Sequence, residues 1–261
     1  MNLLEVNRLS VAWAGQEAVH DVSCSLAAGE VLAIVGESGS GKSTLLKAIL
    51  GLPSAERSIT QGQILLGGRD LAALPASERR ALCGPVISMI FQDAGASFCP
   101  VRRVGDAIWE SVRRHKPWSR DEARGRALAL MNRLQLAPET LKAYPFELSG
   151  GMAQRMGIMA ALLLQPQLLL ADEPTSALDT VTQAAVVREL RDLCREQGTA
   201  LLLVTHHMGV AWYLADQIMV MQQGDCVEQG SREAVFERPH AAYTRALIAA
   251  VPHAEPLEEG A

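Results

Sequence analysis

The sequence predicts a mixed α/β fold, in which an antiparallel β-subdomain and an inserted α-helical subdomain join a parallel-sheet core. Residues 3–32 alternate apolar and polar positions, as antiparallel strands with one buried face do. Residues 120–136 place apolar side chains at a helical spacing of about 3.6, opposite arginines and glutamates. Near-continuous apolar runs are typical of parallel strands buried on both faces. These runs are 31–35, 86–91, 168–171 and 201–205.

Composition narrows the possible functions. The 261 residues are 49% apolar and 20% charged, which is ordinary for a folded protein. The net charge of −5 argues against a nucleic-acid partner, and the basic cluster 113–116 is interpreted as a solvated helix end. Five cysteines without a C-x-x-C pair predict reduced thiols in the cytosol. The longest apolar stretch, 158–171, is too short to span a bilayer, so any membrane role requires a partner.

The elements follow one another in a defined order. After the strand at 31–35 come a loop rich in glycine and serine and a helix at 44–50. Between 92 and 168 the pattern is helical. A helix is predicted after His207, then a strand pair around 219–221 with a Gln-Gly turn, and a last helix near 243–250.

The loop after the first apolar run fits the pattern G-x-x-x-x-G-K-[ST] from Gly36 to Ser43. Glycines let successive N–H groups turn inward toward phosphates, and the helix that follows adds its dipole. Lys42 is predicted to reach the β- and γ-phosphates of ATP, and the Ser43 hydroxyl to bind Mg²⁺. The alternative is a glycine-rich turn that matches by chance. The predicted nucleotide-binding residues are Gly36, Ser38, Gly39, Ser40, Gly41, Lys42, Ser43 and Thr44.

Two adjacent carboxylates, Asp172 and Glu173, end the apolar run at 168–171. Carboxylates at the end of a buried strand are costly unless a cation meets them, and Mg²⁺ with a nucleotide supplies one. Asp172 is therefore predicted to bind the metal, and Glu173 to act as general base on the attacking water. With the phosphate loop, this strand end predicts a P-loop NTPase (RecA-like) core.

The segment Leu148-Ser149-Gly150-Gly151 makes the chain resemble ATP-binding cassette (ABC) proteins, whose signature is LSGG. The resemblance implies that Ser149, Gly150 and Gly151 contact the γ-phosphate held by a second subunit. A helix start at Ser149 would offer N–H groups to that anion.

The resemblance extends to further motifs. It implies that Gln92 contacts Mg²⁺ and the water, that 176–179 lies at a dimer interface, and that His206 senses the γ-phosphate. Trp13 stands where the family stacks an aromatic ring on adenine, although plain packing is an alternative. Two residues depart from the family pattern. His207 replaces an aspartate and is expected to be solvated and silent, and Cys99 replaces an asparagine.

The resemblance implies one nucleotide-binding domain over 1–252, with a helical subdomain at about 94–160, and the tail 253–261 is expected to be disordered. It is strongest toward importers of peptides, opines and nickel. The end of the chain at Ala261, without a cysteine-containing extension, favours the ATPase of a nickel or metal-chelate importer. A di- or oligopeptide importer is the alternative, and a soluble ABC ATPase without a transporter is a more distant one. The implied partners are a second, non-identical ATPase, two transmembrane permeases and, indirectly, an extracytoplasmic binding protein. The implied location is peripheral, on the cytoplasmic face of the inner membrane.

Overall fold

The computed structural model describes residues 2–51 and 54–250. The strands within this part are β1 (Asn2–Trp13), β2 (Gln16–Ala27), β3 (Val31–Val35), β4 (Arg57–Leu66), β5 (Arg69–Asp70), β6 (Ile87–Ile90), β7 (Leu168–Asp172), β8 (Ala200–Thr205), β9 (Gln217–Gln222) and β10 (Asp225–Ser231). The α-helices are α1 (Lys42–Leu50), α2 (Ala76–Leu82), α3 (Val104–His115), α4 (Arg120–Arg133), α5 (Gly150–Leu162), α6 (Thr180–Gln197), α7 (Met208–Leu214), α8 (Arg232–Glu237) and α9 (Ala242–Ala249).

The strands form two sheets. An antiparallel sheet has the order β2-β1-β4-β5, and a larger sheet has the order β10-β9-β3-β8-β7-β6. In the larger sheet only β10 is antiparallel to its neighbour, whereas the other pairs are parallel. This arrangement confirms the predicted mixed α/β fold. The strand pair predicted around 219–221 is β9 and β10, joined by a turn at 223–224.

Several element bounds differ from the prediction by one or two residues, as two examples show. The helix after the phosphate loop begins at Lys42, two residues earlier than expected, so the loop runs directly into the first helical turn. The strand predicted at 86–91 is shorter, with pairing that covers Ile87 to Ile90. In both places the sequence pattern identified the element, while the backbone hydrogen bonds set its ends.

The larger sheet separates two hydrophobic clusters. Successive residues of β3 point to opposite faces, so Leu32 and Ile34 pack toward α1 and the antiparallel sheet. Ala33 and Val35 pack toward the helices on the other face. Full burial of a side chain such as Leu32 contributes about 2 kcal/mol, and burial on both faces explains why β3 lacks polar residues.

The described elements between β6 and β7 are all helical. The predicted apolar stripe of 120–136 is buried in α4 and just after it, at Ala123, Ala127, Met131 and Leu134. The basic cluster 113–116 lies at the end of α3, where Arg113 and Arg114 are exposed as expected. The tail predicted for 253–261 lies outside the described residues.

None of the helices in the described ranges is both long enough and apolar enough to cross a bilayer. The five cysteines form no disulfide with one another in the described part of the chain.

Candidate nucleotide-binding site

The phosphate loop lies at the carboxyl end of β3 and leads into α1. Its glycines adopt positive φ angles, 149° at Gly36 and 97° at Gly41. A Cβ atom on Gly36 would lie 2.1 Å from the Met221 carbonyl oxygen, and one on Gly41 would lie 2.4 Å from the Ala18 carbonyl oxygen. Only glycine fits these positions, because both the backbone conformation and the space exclude a side chain.

Lys42 curls over this loop. Its ammonium donates hydrogen bonds to the carbonyl oxygens of Gly36 at 2.8 Å and Glu37 at 2.6 Å, and to Ser40 Oγ at 3.1 Å. Burial lowers the pKa of Lys42, while the nearby carboxylates, Glu173 foremost, oppose that shift. The loop thereby holds a positive charge on the side where phosphates are expected.

Ser43 and Asp172 meet directly. The Ser43 hydroxyl donates to Asp172 Oδ1 at 2.8 Å, which joins the start of α1 to the end of β7. Asp172 is only 3% exposed, and burial raises the pKa of its carboxyl. A hydroxyl and a carboxylate are the hard oxygen donors that Mg²⁺ prefers, and Mg²⁺ takes its other ligands from phosphates and water. The described residues contain no cluster of three or more His, Cys, Asp or Glu side chains that could hold a metal ion. The donor set therefore fits Mg²⁺.

Glu173 is held in a left-handed backbone conformation, with φ of 49°. Such strain in a non-glycine residue costs about 1–3 kcal/mol and is concentrated at functional sites. The Glu173 N–H donates to the Val204 carbonyl oxygen at 2.9 Å, which ties this residue to β8. From this position the side chain reaches Thr205 and His206 at the end of β8.

The Glu173 carboxylate is held by hydrogen bonds from residues at the end of β8 and just after it. Its Oε1 accepts the His206 backbone N–H at 2.9 Å and lies 2.6 Å from His206 Nδ1. Its Oε2 accepts the Thr205 hydroxyl at 3.4 Å. The sequence predicted Glu173 and His206 but missed Thr205, whose position directly before the histidine was the available signal.

His207 is exposed as expected, but it is not without contacts. The His207 ring centroid lies 4.1 Å from that of His206. The backbone N–H of His207 donates to Thr205 Oγ1 at 3.0 Å. Burial is the largest cause that lowers the pKa of His207, and the adjacent His206 lowers it further. This departure from the family pattern therefore lies against the ring that contacts Glu173.

The signature segment begins α5. Ser149 is the N-terminal cap of this helix, and its Oγ accepts the Met152 N–H at 3.3 Å. Ser149 and Gly150 are exposed, so the helix start is accessible to an anion from outside the chain. A Cβ on Gly151 would lie 3.1 Å from Leu178 Cδ2, so this glycine permits close packing against the segment 176–179.

Gln92 is exposed and lies two residues after the end of β6. The segment around it packs on α5, because Gln154 donates to the Phe91 carbonyl oxygen at 3.5 Å. A Cβ on Gly157 would lie 2.6 Å from that of Ala94, so the approach of the two segments requires glycine.

Hydrogen bonds thus link the phosphate loop to Asp172, and Glu173 to His206. No side-chain hydrogen bond within the described ranges links Trp13, Gln92 or Ser149 to these two groups. Trp13 ends β1 and is 38% exposed.

Comparisons with known proteins place this geometry in a family. The model of the ABC transporter family matches residues 19–176, which is more than half of the chain. The chain is 45% identical to the peptidoglycan transport ATP-binding protein YejF of Agrobacterium fabrum, over 97% of this chain and 48% of that protein. It is 43% identical to the oligopeptide transport ATP-binding protein OppF of Escherichia coli, over 92% of this chain and 71% of that protein. It is 41% identical to the dipeptide transport ATP-binding protein DppD of Bacillus subtilis, over 90% of this chain and 71% of that protein.

The chain therefore spans about half the length of the first of these relatives. Among solved structures, the dimeric ATP-binding cassette MJ0796 in a post-hydrolysis state with ADP and Pi has a TM-score of 0.80 at 26% identity. That match covers 88% of this chain and 98% of the other. On this family match and these relatives, the chain belongs to the ABC transporter family and carries the family's ATPase cassette.

Proposed function

We propose that the chain binds and hydrolyses ATP to energise an ABC importer for di- or oligopeptides. The observation that carries this proposal is the position of Glu173. Glu173 follows Asp172, the last residue of β7, and one oxygen of the Glu173 carboxylate lies 2.6 Å from His206 Nδ1. A carboxylate fixed beside the Ser43–Asp172 pair is suited to orient a water molecule for attack on a phosphate.

In this proposal the residues at the strand ends and in the phosphate loop have distinct roles. The N–H groups of the loop from Gly36 to Thr44 and the Lys42 ammonium bind the phosphates. Ser43, Asp172 and Gln92 hold Mg²⁺, which when bound neutralises charge that develops on the phosphates. Glu173 accepts the proton of the attacking water. His206 fixes the carboxylate and responds to the γ-phosphate.

Two further contacts to ATP are proposed outside the strand ends, at the start of α5 and at Trp13. The exposed start of α5 at Ser149, Gly150 and Gly151 is proposed to contact the γ-phosphate bound by a second ATPase subunit. This role agrees with a helix start that is open to solvent. The exposed ring of Trp13 is proposed to stack on adenine. The dimeric solved relative bound to ADP and Pi supports a shared site.

Of the two cargoes expected from the sequence, we favour peptides over nickel. The nickel expectation depended on where the chain ends. The reported relatives are instead named for the transport of peptidoglycan, oligopeptides and dipeptides, at 41–45% identity. A soluble ABC ATPase without a transporter is less well supported, because these relatives are named as transport proteins.

The proposed assembly is peripheral, on the cytoplasmic face of the inner membrane. It contains a second ATPase, expected to be non-identical, two permeases and an extracytoplasmic binding protein. Within the chain we propose one nucleotide-binding domain over 1–252, with the helical subdomain at about 94–160.

The proposal is tested with the complex purified through a tag on this chain and reconstituted in vesicles with its binding protein. We expect permeases to co-purify and a di- and oligopeptide mixture to stimulate ATP hydrolysis. Stimulation by Ni²⁺ instead would return the cargo to the metal alternative. Co-purification of nucleic acid without permeases would favour the soluble class.

A further inference from the structure

The phosphate loop is contacted by two segments from the far end of the chain. Gly224, in the turn between β9 and β10, donates its N–H to the Ser40 carbonyl oxygen at 3.1 Å. Tyr243, in the first turn of α9, accepts the Glu37 N–H on its hydroxyl oxygen at 3.0 Å. Neither contact is part of the phosphate-loop pattern, and the tyrosine lies 206 residues from its partner.

The contact with Tyr243 acts on one peptide group, the one that joins Gly36 to Glu37. The carbonyl oxygen of this peptide accepts the Lys42 ammonium at 2.8 Å, and its N–H donates to Tyr243. Hydrogen bonds at the two ends of one peptide polarise and align each other. The hydroxyl of Tyr243 is thus one peptide away from the cation that faces the phosphates.

The conformational preference of Gly36 does not by itself fix the orientation of this peptide. Gly36 has φ of 149°, a conformation that glycine adopts freely, and it has no Cβ atom to limit rotation on either side. A peptide that follows such a glycine can reorient unless hydrogen bonds hold it. Lys42 holds the carbonyl end and Tyr243 holds the N–H end.

Tyr243 itself is anchored. Glu228 in β10 accepts the N–H groups of His240 at 2.7 Å and Ala241 at 3.1 Å, directly before α9. Arg245 donates back to the carbonyl oxygens of Pro239 at 3.0 Å and His240 at 2.8 Å. The ring of Tyr243 is partly buried against the helical side of the core. The start of α9 is therefore fixed with respect to the sheet, and the hydroxyl is presented to the loop.

We infer that Tyr243 is a positioning residue for ATP binding: its hydroxyl holds the Gly36–Glu37 peptide and, through it, the Lys42 ammonium in the orientation that receives the phosphates. This inference rests on the proposed function of the phosphate loop. It adds α9 to the elements that determine nucleotide affinity.

The test compares Tyr243→Phe with its parent, because this change removes the hydroxyl and keeps the ring. Tyr213→Phe is the matched control, since the Tyr213 ring lies 4.2 Å from the Arg191 guanidinium and the same atom is removed. ATP binding is measured by calorimetry with Mg²⁺ on the full chain carrying Glu173→Gln, which is expected to slow hydrolysis about 10²-fold or more. We expect Tyr243→Phe to raise the Kd about fivefold, because the variant must order the Gly36–Glu37 peptide on binding without this hydrogen bond, and Tyr213→Phe to leave it unchanged.

The kinetic arm uses the complex with its permeases and an intact Glu173. Tyr243→Phe is expected to raise the KM for ATP by a similar factor, with kcat within about twofold of the parent. A role confined to folding would reduce the number of active sites, which lowers kcat and leaves KM unchanged.

A second variant, Glu228→Ala, releases the start of α9 and is expected to raise the Kd in the same direction. If the parent binds ATP and Tyr243→Phe binds it equally well, the inference is overturned while the proposed function stands. If the parent itself does not bind ATP, the proposed function fails.

Discussion

Glu173 Oε1 contacts His206 twice, at 2.6 Å from the ring Nδ1 and at 2.9 Å from the backbone nitrogen. A carboxylate oxygen accepts hydrogen bonds, so the hydrogen-bond network assigns the proton of a neutral His206 ring to Nδ1. The two contacts fix both the Glu173 carboxylate and the orientation of the imidazole. A change in either residue should therefore disturb chemistry more than nucleotide binding.

Replacement Glu173→Gln keeps the shape of the side chain and removes the proton acceptor. ATP should still bind, because the phosphate loop is intact, while turnover in the assembled complex falls by about 10²-fold or more. Phosphate release and calorimetry measure the two quantities. The control is Glu233→Gln, which alters an exposed carboxylate paired with Arg232 at 2.7 Å and should change neither. Turnover near that of the parent would remove Glu173 from the role of base.

Replacement Lys42→Ala removes the cation that is hydrogen-bonded across the loop. ATP affinity or turnover should collapse, because the two phosphates lose their closest positive charge. Circular dichroism should show an intact fold, since α1 does not depend on this side chain for its hydrophobic packing. Lys142→Ala, which truncates an exposed lysine, is the control. Unchanged affinity together with unchanged turnover would contradict the assignment of the phosphate loop.

Replacement Asp172→Asn is expected to have opposite effects on stability and on ligand binding. Without nucleotide the variant should melt a few degrees higher, because it no longer buries a carboxylate next to Glu173. ATP with Mg²⁺ should raise the melting temperature of the parent more than ATP with a chelator does. In Asp172→Asn this difference should largely disappear. A lower melting temperature with an undiminished Mg²⁺ effect would exclude Asp172 as a ligand.

Replacement Ser149→Arg places bulk and charge at the exposed start of α5. The isolated chain is expected to be mostly monomeric and slow, and reconstitution with its partner ATPase and permeases should raise its activity. Ser149→Arg should abolish that gain while the ATP affinity of the isolated chain stays the same. Light scattering and phosphate release provide the measurements. Full activity from a strict monomer that tolerates this substitution would rule out a shared site.

The lowered pKa of His207 predicts a pH dependence of stability. Burial and the neighbouring His206 disfavour the protonated form in the folded state, so the unfolded chain binds more protons below its pKa of about 6.5. The free energy of unfolding should therefore decrease as pH falls through 6.5 toward the lower folded-state pKa. His207→Asn should lose part of this decrease, as measured by denaturant unfolding at several pH values. Parallel pH profiles of the two proteins would show that His207 makes no such contribution.

Much of the fold could be predicted because its signals are local. The buried strands of the parallel sheet are short apolar runs, and the glycine pattern of the phosphate loop encodes positive φ angles at Gly36 and Gly41. The solvated end of α3 and the buried stripe of α4 follow from charge and helical spacing. The start of α1 was less predictable, because its first residues, from Lys42, belong to the glycine- and serine-rich loop pattern.

The contacts between distant segments could not be predicted in this way. Nothing in residue spacing indicates that the hydroxyl of Tyr243 reaches Glu37, and the position of Thr205 before His206 does not specify its hydrogen bond to Glu173. The ring of His207 was expected in solvent, and its approach to His206 depends on how the backbone turns after β8. Such contacts arise from packing of the whole sheet, which a local pattern does not encode.

The position of β3 in the sheet also has a consequence for biosynthesis. Both neighbours of this strand are made late, since Val31 pairs with Leu201 and Leu32 with Gln217. At the usual rate of translation, the ribosome needs roughly 10 to 30 s to make the intervening segment. During that interval an apolar strand and the loop after it leave the exit tunnel without their partners. A nascent chain released before about residue 205 should accordingly be a substrate for chaperones and proteases, and the ATP site should form only when synthesis is nearly complete.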